Sequence, residues 1–186
     1  MRAFVEALIA GGVVACPTET QMGLLANALD AGAIARVSAL KQRPAGEPIG
    51  LIAPSVQSAL SLVIEMTPLA RALAEQHWPG PLTLVMRARA HVPAGVQKDG
   101  TVAIRVPGPS PALELVRAYG GPLTATSANI SGQPPLWTEA ELLAAFGAGL
   151  AGIVPGTPPG SAPSTIVDVT TDSPVVIRKG ALPLPF

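Results

Sequence analysis

Apolar residues near the start recur at helical spacing: Phe4, Val5, Leu8 and Ile9 share one predicted face. Gly11-Gly12 ends that helix, and the continuous apolar run that follows from Val13 reads as a buried strand. From residue 30 onward, helical stretches alternate with short apolar strands without a repeat period, which predicts one layered α/β fold. Asp30 caps a helix running to about Lys41, with Ile34, Val37 and Leu40 inward, and Ile49 to Ala53 is a strand. Thr67-Pro68 and Ser110-Pro111 each pair a capping hydroxyl with proline at the first helical position. Leu82 to Met86 and Thr101 to Val106 are predicted strands, with Ala88 to Gly100 between them as a loop. Leu123 to Thr126 reads as a strand end. Thr138 and Glu141 form a capping box for a helix that stops at Gly147. Ile153-Val154, Thr165 to Val169 and Val175 to Ile177 complete the strands, and the Pro/Gly/Ser run from Pro155 to Pro163 is a loop without an apolar anchor.

Composition narrows the chemistry. A length of 186 residues fits one domain, 1–186, with a substantial core. Hydrophobic residues at 48% exclude disorder, and aromatics at only 3% leave the core to Ala, Val, Leu and Ile. Twelve cations balance 12 acids, so no basic field draws nucleic acid. Cys16 is the one cysteine; it excludes a disulfide framework, and with His77 and His91 it forms no zinc-ligand spacing. A reducing, cytoplasmic setting is expected. Arg2 and the apolar stretch ending at Cys16 superficially resemble a lipoprotein signal, but Glu6 interrupts it. The uncharged run from Ala7 to Thr18 is also shorter than the about 20 residues a bilayer span takes.

Gly147 to Gly152 matches the dinucleotide pattern G-x-G-x-x-G by letter. A helix precedes it and Ile153-Val154-Pro155 follows, so the strand-before, helix-after context is missing, and it reads as a helix end. No P-loop and no G-x-S-x-G elbow occurs in the chain.

Polar residues interrupt the apolar pattern at three informative places. Pro17 to Leu24 follows a strand and holds hydroxyls and one carboxylate, at the strand end where α/β sheets bind ligands; it also reads as a capped turn. Lys41 and Arg43 end a helix, where they complement its dipole or, with Pro44 forcing the chain outward, face an anion such as phosphate. Thr124 to Gly132 is a run of small hydroxyl and amide groups that suits a loop meeting a ligand. The residues alone point to a small-molecule or nucleotide-binding α/β domain, or to a structural role.

These segments also carry a resemblance. Pro17-Thr18-Glu19-Thr20 with Gly23-Leu24, Lys41-Gln42-Arg43-Pro44, Trp78-Pro79-Gly80-Pro81-Leu82-Thr83, Val102 to Pro107, Thr126 to Gly132, Pro163 to Asp168 and Ile177-Arg178-Lys179-Gly180 occur in the order seen in the YrdC/Sua5 family. The chain resembles the short, stand-alone bacterial TsaC-type members from about residue 4 to about 181. The resemblance implies a YrdC-like fold: a twisted mixed β-sheet flanked by helices, with one concave cleft. It implies threonylcarbamoyl-AMP synthesis, a nucleotidyl transfer from ATP with L-threonine and bicarbonate or CO2 that supplies the t6A modification of tRNA position 37. Lys41 and Arg43 would then be catalytic, offsetting the repulsion between carboxylated threonine and the α-phosphate. On the ATP side the family pattern places Arg43, Thr101, Ser127, Asn129 and Arg178. On the threonine side it places Thr20, Arg105, Ala125 and Ser164. Mg2+ held mainly by ATP phosphates, downstream t6A transferase proteins and a weak tRNA contact are further implications. No dedicated protein metal site and no membrane contact are implied.

The chain departs from the family pattern at Met22, where Tyr or Phe is usual; at Glu47, where uncharged or basic residues are common; and at Ile52, where longer members have His near threonine. Because Lys41 and Arg43 end a helix predicted at the surface, truncating either is expected to leave the fold intact. The chain ends at Phe186, so no counterpart of the long Sua5 C-terminal domain is expected. Two alternatives stay in view: an RNA-binding or ribosome-maturation factor of the same fold, and the carbamoyl-adenylating domain of hydrogenase maturation.

Overall fold

The computed structural model describes residues 1–44, 46–160 and 162–185. In chain order its elements are α1 (Arg2–Ile9), β1 (Val14–Pro17), β2 (Met22–Leu25), α2 (Ala31–Leu40), β3 (Leu51–Ile52), α3 (Val56–Leu60), α4 (Pro68–His77), β4 (Leu82–Arg87), β5 (Gln97–Lys98), β6 (Thr101–Arg105), α5 (Pro111–Tyr119), β7 (Leu123–Thr124), β8 (Thr126–Ser127), α6 (Glu139–Phe146), β9 (Gly152–Ile153), β10 (Thr165–Asp168) and β11 (Val175–Arg178).

Local chemistry sets the helix starts. Asp30 accepts from the N–H groups of Gly32 and Ala33, and Thr67 and Ser110 accept from Ala70 and Leu113. Each such cap satisfies an otherwise orphaned donor and contributes about 1 kcal/mol. The capping box is present: Thr138 Oγ1 accepts from Glu141 N, while the Glu141 carboxylate accepts from Thr138 N at 2.8 Å and Trp137 N at 2.8 Å. Gly11, at φ +79°, turns the chain out of α1 into the first strand.

The strands divide between two sheets rather than forming one. One runs β8-β2-β1-β9; the other runs β11-β10-β4-β6-β3-β7, with β5 on β6. Both mix parallel and antiparallel pairs, as β1 with β9 and β2, and β4 with β10 and β6. The sequence around Ala125 joins them: β7 pairs with β3 in the larger sheet and, one residue later, β8 pairs with β2 in the smaller. Ala125 N donates to Gly50 O at 2.7 Å at this crossing. Thr124 hydroxyl ties the joint by accepting from Ala26 N at 2.9 Å.

Burial on both faces explains the unalternating run at residues 13 to 16. Val13 and Ala15 join the larger core, whereas Val14 and Cys16 join a second one with Leu8, Leu25, Ile52, Val116 and Val154. Burial first, then the charge of Glu114, pushes the Cys16 thiol up to about 12, so it stays an unreactive thiol. Ile9 departs from the predicted inward face and is 70% exposed, because α1 contributes only its Phe4, Val5 and Leu8 side to that core. The Ala88 to Gly100 loop contains a one-turn 3-10 helix at Ala94–Val96 and the short strand β5. The helix α3 has only five residues and buries Ala59 alone, so the hydrophobic pattern does not announce it. Among the described residues, no helix is long and apolar enough to cross a membrane.

Candidate active site

The two sheets meet around a cleft of about 630 Å³, and a smaller cavity of about 380 Å³ adjoins it, sharing Arg43 and Ser127 in its lining. Thr20, Arg43, Thr101, Arg105, Ala125, Ser127, Ser164 and Arg178 all line the larger cleft. Lys41 and Asn129 line the smaller one with Arg43, Glu47, Ser127 and Ser131. Residues spread from 20 to 178 in sequence therefore converge on two adjoining cavities.

At one end, the tight β1–β2 turn is closed by Thr18, whose hydroxyl donates to Gln21 O at 2.8 Å and accepts from Thr20 N at 3.0 Å. This turn presents Thr20, and Arg105 from the end of β6 donates to its hydroxyl at 3.3 Å. The same guanidinium nitrogen, Nη1, also donates to Glu19 Oε1. Arg105 is only 6% exposed, so desolvation lowers its pKa while the Glu19 charge works the other way. Glu19 Oε2 is buried without a partner among the described residues.

Arg178, on the edge strand β11, donates to Ser164 O at 2.9 and 3.1 Å and to Ser164 Oγ at 3.2 Å. Ser164 Oγ in turn lies 2.8 Å from Thr83 Oγ1. Burial and then the positive charge of Arg105 lower the Arg178 pKa, so two guanidiniums share this end of the cleft close enough to repel.

Lys41 corrects the expectation of a surface cation. Its side chain is among the most buried in the protein, at 1% exposure, and all three ammonium protons are used: Nζ donates to Ser127 O at 2.6 Å, Asn129 O at 2.9 Å and Asn129 Oδ1 at 2.9 Å. Ser131 N donates back to Lys41 O at 2.8 Å. Asn129 Oδ1 also accepts from Ser127 Oγ at 2.6 Å, and its amide nitrogen donates to Gln133 O and Ile130 O. Lys41 thus folds the 127–131 loop around its own charge. Burial, then the Arg43 charge, lowers its pKa from 10.5 to about 8. Arg43 is the more available cation: it donates to Pro48 O at 2.8 Å and Glu47 O at 3.2 Å, pairs with Glu47 at 3.5 Å, and lines both cavities.

The departures fall at different depths. Met22 is buried and lines the cleft, Glu47 is the partner of Arg43, and Ile52 is fully buried in the second core and outside the cleft lining. Glu19 and Thr83 carry no predicted site role, although both lie in stretches that bear the family resemblance and Glu19 is a lone carboxylate among hydroxyls after a strand. The segment Pro155 to Pro163 includes Ser161, which lies outside the described residues. Around it, Pro158 is buried, so the segment has an apolar anchor, and Gly160 packs where a Cβ would meet Thr20 O at 3.2 Å.

A two-sheet α/β fold whose sheet junction gathers arginines and hydroxyls over one cleft has the chemistry to receive anionic small molecules. A family model described as telomere recombination, covering Sua5, YciO and YrdC, matches residues 6–180, and the chain belongs to this family. The threonylcarbamoyl-AMP synthase of Vibrio cholerae is 39% identical over 180 residues, covering 95% of each chain. That of Pyrococcus abyssi is 39% identical over 176 residues and 94% of this chain, which spans 52% of the relative's length. The crystal structure of P. abyssi Sua5 complexed with L-threonine superposes with a TM-score of 0.93 at 37% identity, over 98% of this chain and 54% of that one.

Proposed function

We propose that this chain is a cytoplasmic threonylcarbamoyl-AMP synthase, joining L-threonine, bicarbonate or CO2, and ATP into threonylcarbamoyl-adenylate and pyrophosphate. The observation that carries this reading is the convergence of Arg43, Arg105 and Arg178 on one hydroxyl-lined cleft, in a chain similar to the Vibrio synthase over 95% of each. Threonine's nitrogen adds to the carbon of CO2 and loses a proton, giving a carbamate. A carbamate oxygen then attacks the α-phosphorus, and pyrophosphate leaves with the electron pair of the broken P–O bond. Both partners in that attack are anions, so fixed cations stabilise the encounter.

Arg105 with Thr20 suits the amino-acid carboxylate, because a guanidinium matches two carboxylate oxygens and a neighbouring hydroxyl adds a third contact. Arg43, reaching both cavities, suits the phosphate chain, with the Lys41-organised loop supplying Ser127 and Asn129 beside it. Arg178, bonded to Ser164 at the Arg105 end of the cleft, suits the carbamate formed on the bound threonine. Mg2+ bound with ATP, held mainly by phosphate oxygens and water, would neutralise phosphate charge. The product would pass to the transferases that complete t6A on tRNA.

The test is mass spectrometry of the products formed from ATP, bicarbonate and each amino acid in turn. Threonine alone should give a carbamoyl-adenylate with stoichiometric pyrophosphate. Absence of any adenylate with all three substrates present overturns the reading.

A further inference from the structure

Glu19 is a costly residue where it stands. It lies in the β1–β2 turn beside the cleft, and its carboxylate pairs with Arg105 through Oε1 alone, while Oε2 is buried without a donor among the described residues. An orphaned buried carboxylate oxygen is destabilising, and a glutamine there would still offer an acceptor to Arg105. The negative charge is what glutamine could not supply.

The packing holds that charge in place. A Cβ at Gly108 would press on Glu19 Cγ at 3.1 Å, and one at Gly160 would approach Glu19 O at 3.4 Å, so two glycine-bearing stretches close over the residue from different elements. Only one guanidinium nitrogen of Arg105 is bound to it, which leaves the rest of the fork for a ligand in the cleft that Arg105 lines.

Resting on the threonine reading above, we infer that Glu19 is a positioning residue that sets the charge type of the amino-acid substrate. By offsetting Arg105, it leaves Arg178 as the uncompensated guanidinium at this end of the cleft, which is then less cationic than two free arginines would make it. Beside the Glu19 charge a zwitterion, carrying ammonium next to carboxylate, gains relative to a plain carboxylate of the same shape, which has no ammonium to offset that charge. At this range a full charge is worth about tenfold or more in affinity even in a well-screened site.

The experiment compares calorimetric binding of L-threonine and of 3-hydroxybutyrate, its counterpart lacking the amino group, to three proteins: the unaltered chain, Glu19→Gln and Glu19→Asp. The unaltered protein should prefer threonine. Glu19→Gln should move the ratio by about tenfold toward 3-hydroxybutyrate, because Arg105 is left unneutralised. Glu19→Asp keeps the charge but withdraws it by one methylene, so both ligands should weaken together while their ratio stays within about twofold of the original. A merely structural role predicts that Glu19→Gln weakens both ligands equally, and that result, or an unchanged ratio, overturns the inference. Should the unaltered protein bind ATP but not threonine, the functional reading fails as well; threonine binding with an unmoved ratio overturns the Glu19 inference alone.

Discussion

Lys41 and Arg43 stand two positions apart, yet their side chains do different work. Replacing Lys41 with Met strips the donor from three oxygens of the 127–131 loop, and the stability loss in thermal unfolding should be about 1–3 kcal/mol, alongside weaker ATP binding. Arg43→Ala touches two backbone carbonyls and a half-exposed Glu47, so unfolding should shift by less than about 1 kcal/mol. Adenylate formation by that variant should fall by about 10²–10³-fold, as when an enzyme loses a donor aimed at developing charge. Near-normal turnover of Arg43→Ala would remove it from the reaction. Acidity separates the two further. Lys41 titrates at about 8 in the fold against an ordinary 10.5, so the cost of holding it charged is carried in full below pH 8 and relieved between about pH 8 and 10.5. The fold therefore gains from this group as pH rises through that window. The loop loses, because a neutral amine has two protons for three acceptors. The KM for ATP should rise above about pH 8, and a flat ATP profile up to about pH 9.5 would contradict the assignment of that loop to ATP.

At the scale of elements, what the sequence revealed was local chemistry. Asp30, Thr67-Pro68, Ser110-Pro111 and the Thr138–Glu141 box each announce a helix start within four residues, and each cap is present. The glycine-rich 147–152 stretch likewise ends α6 in a short 3-10 turn, as its flanking residues indicated. What escaped was pairing between distant strands. Nothing in Leu123 to Ser127 distinguishes one strand from two that change sheets at Ala125, because the partners Leu51-Ile52 and Gly23-Leu24 lie far off in the chain. The five-residue α3 escaped for another reason: it buries only Ala59, too little to leave an amphipathic pattern. Lys41 was misjudged because a lysine is seldom fully buried unless its charge is met, and the carbonyls that meet it come from a loop 86 residues away. The 155–163 segment gives a test at this scale. Gly160→Ala puts a methyl against Thr20 O at 3.2 Å, on the turn that presents Thr20 to Arg105. Threonine affinity should drop about three- to tenfold with ATP affinity unchanged, and equal effects on both would detach this segment from the threonine end.

For the whole molecule, charge placement decides between an enzyme fed by diffusing substrates and a factor that holds RNA. The 12 cations equal the 12 acids in number, but they are not equally placed. Lys41 and Arg105 are buried, Arg178 is engaged with Ser164, and Arg43 is bound to the Glu47–Pro48 backbone, so the cations gathered at the cleft face inward. The outer surface is left with no cationic excess, and a concave face whose cations are engaged by loops and the Glu19 carboxylate has few to lay along a phosphate backbone. A factor contacting 6–10 phosphates would lose about 10³–10⁵ in affinity between 50 and 200 mM salt. This chain should bind tRNA weakly at low salt, with a dependence equivalent to only about one or two phosphates, and ATP should compete because it takes the same arginines. Titrations of labelled tRNA across that salt range, with and without ATP, measure both quantities. A steep slope equivalent to about six phosphates or more, insensitive to ATP, would place the RNA on a surface other than the cleft and favour the RNA-binding reading over catalysis.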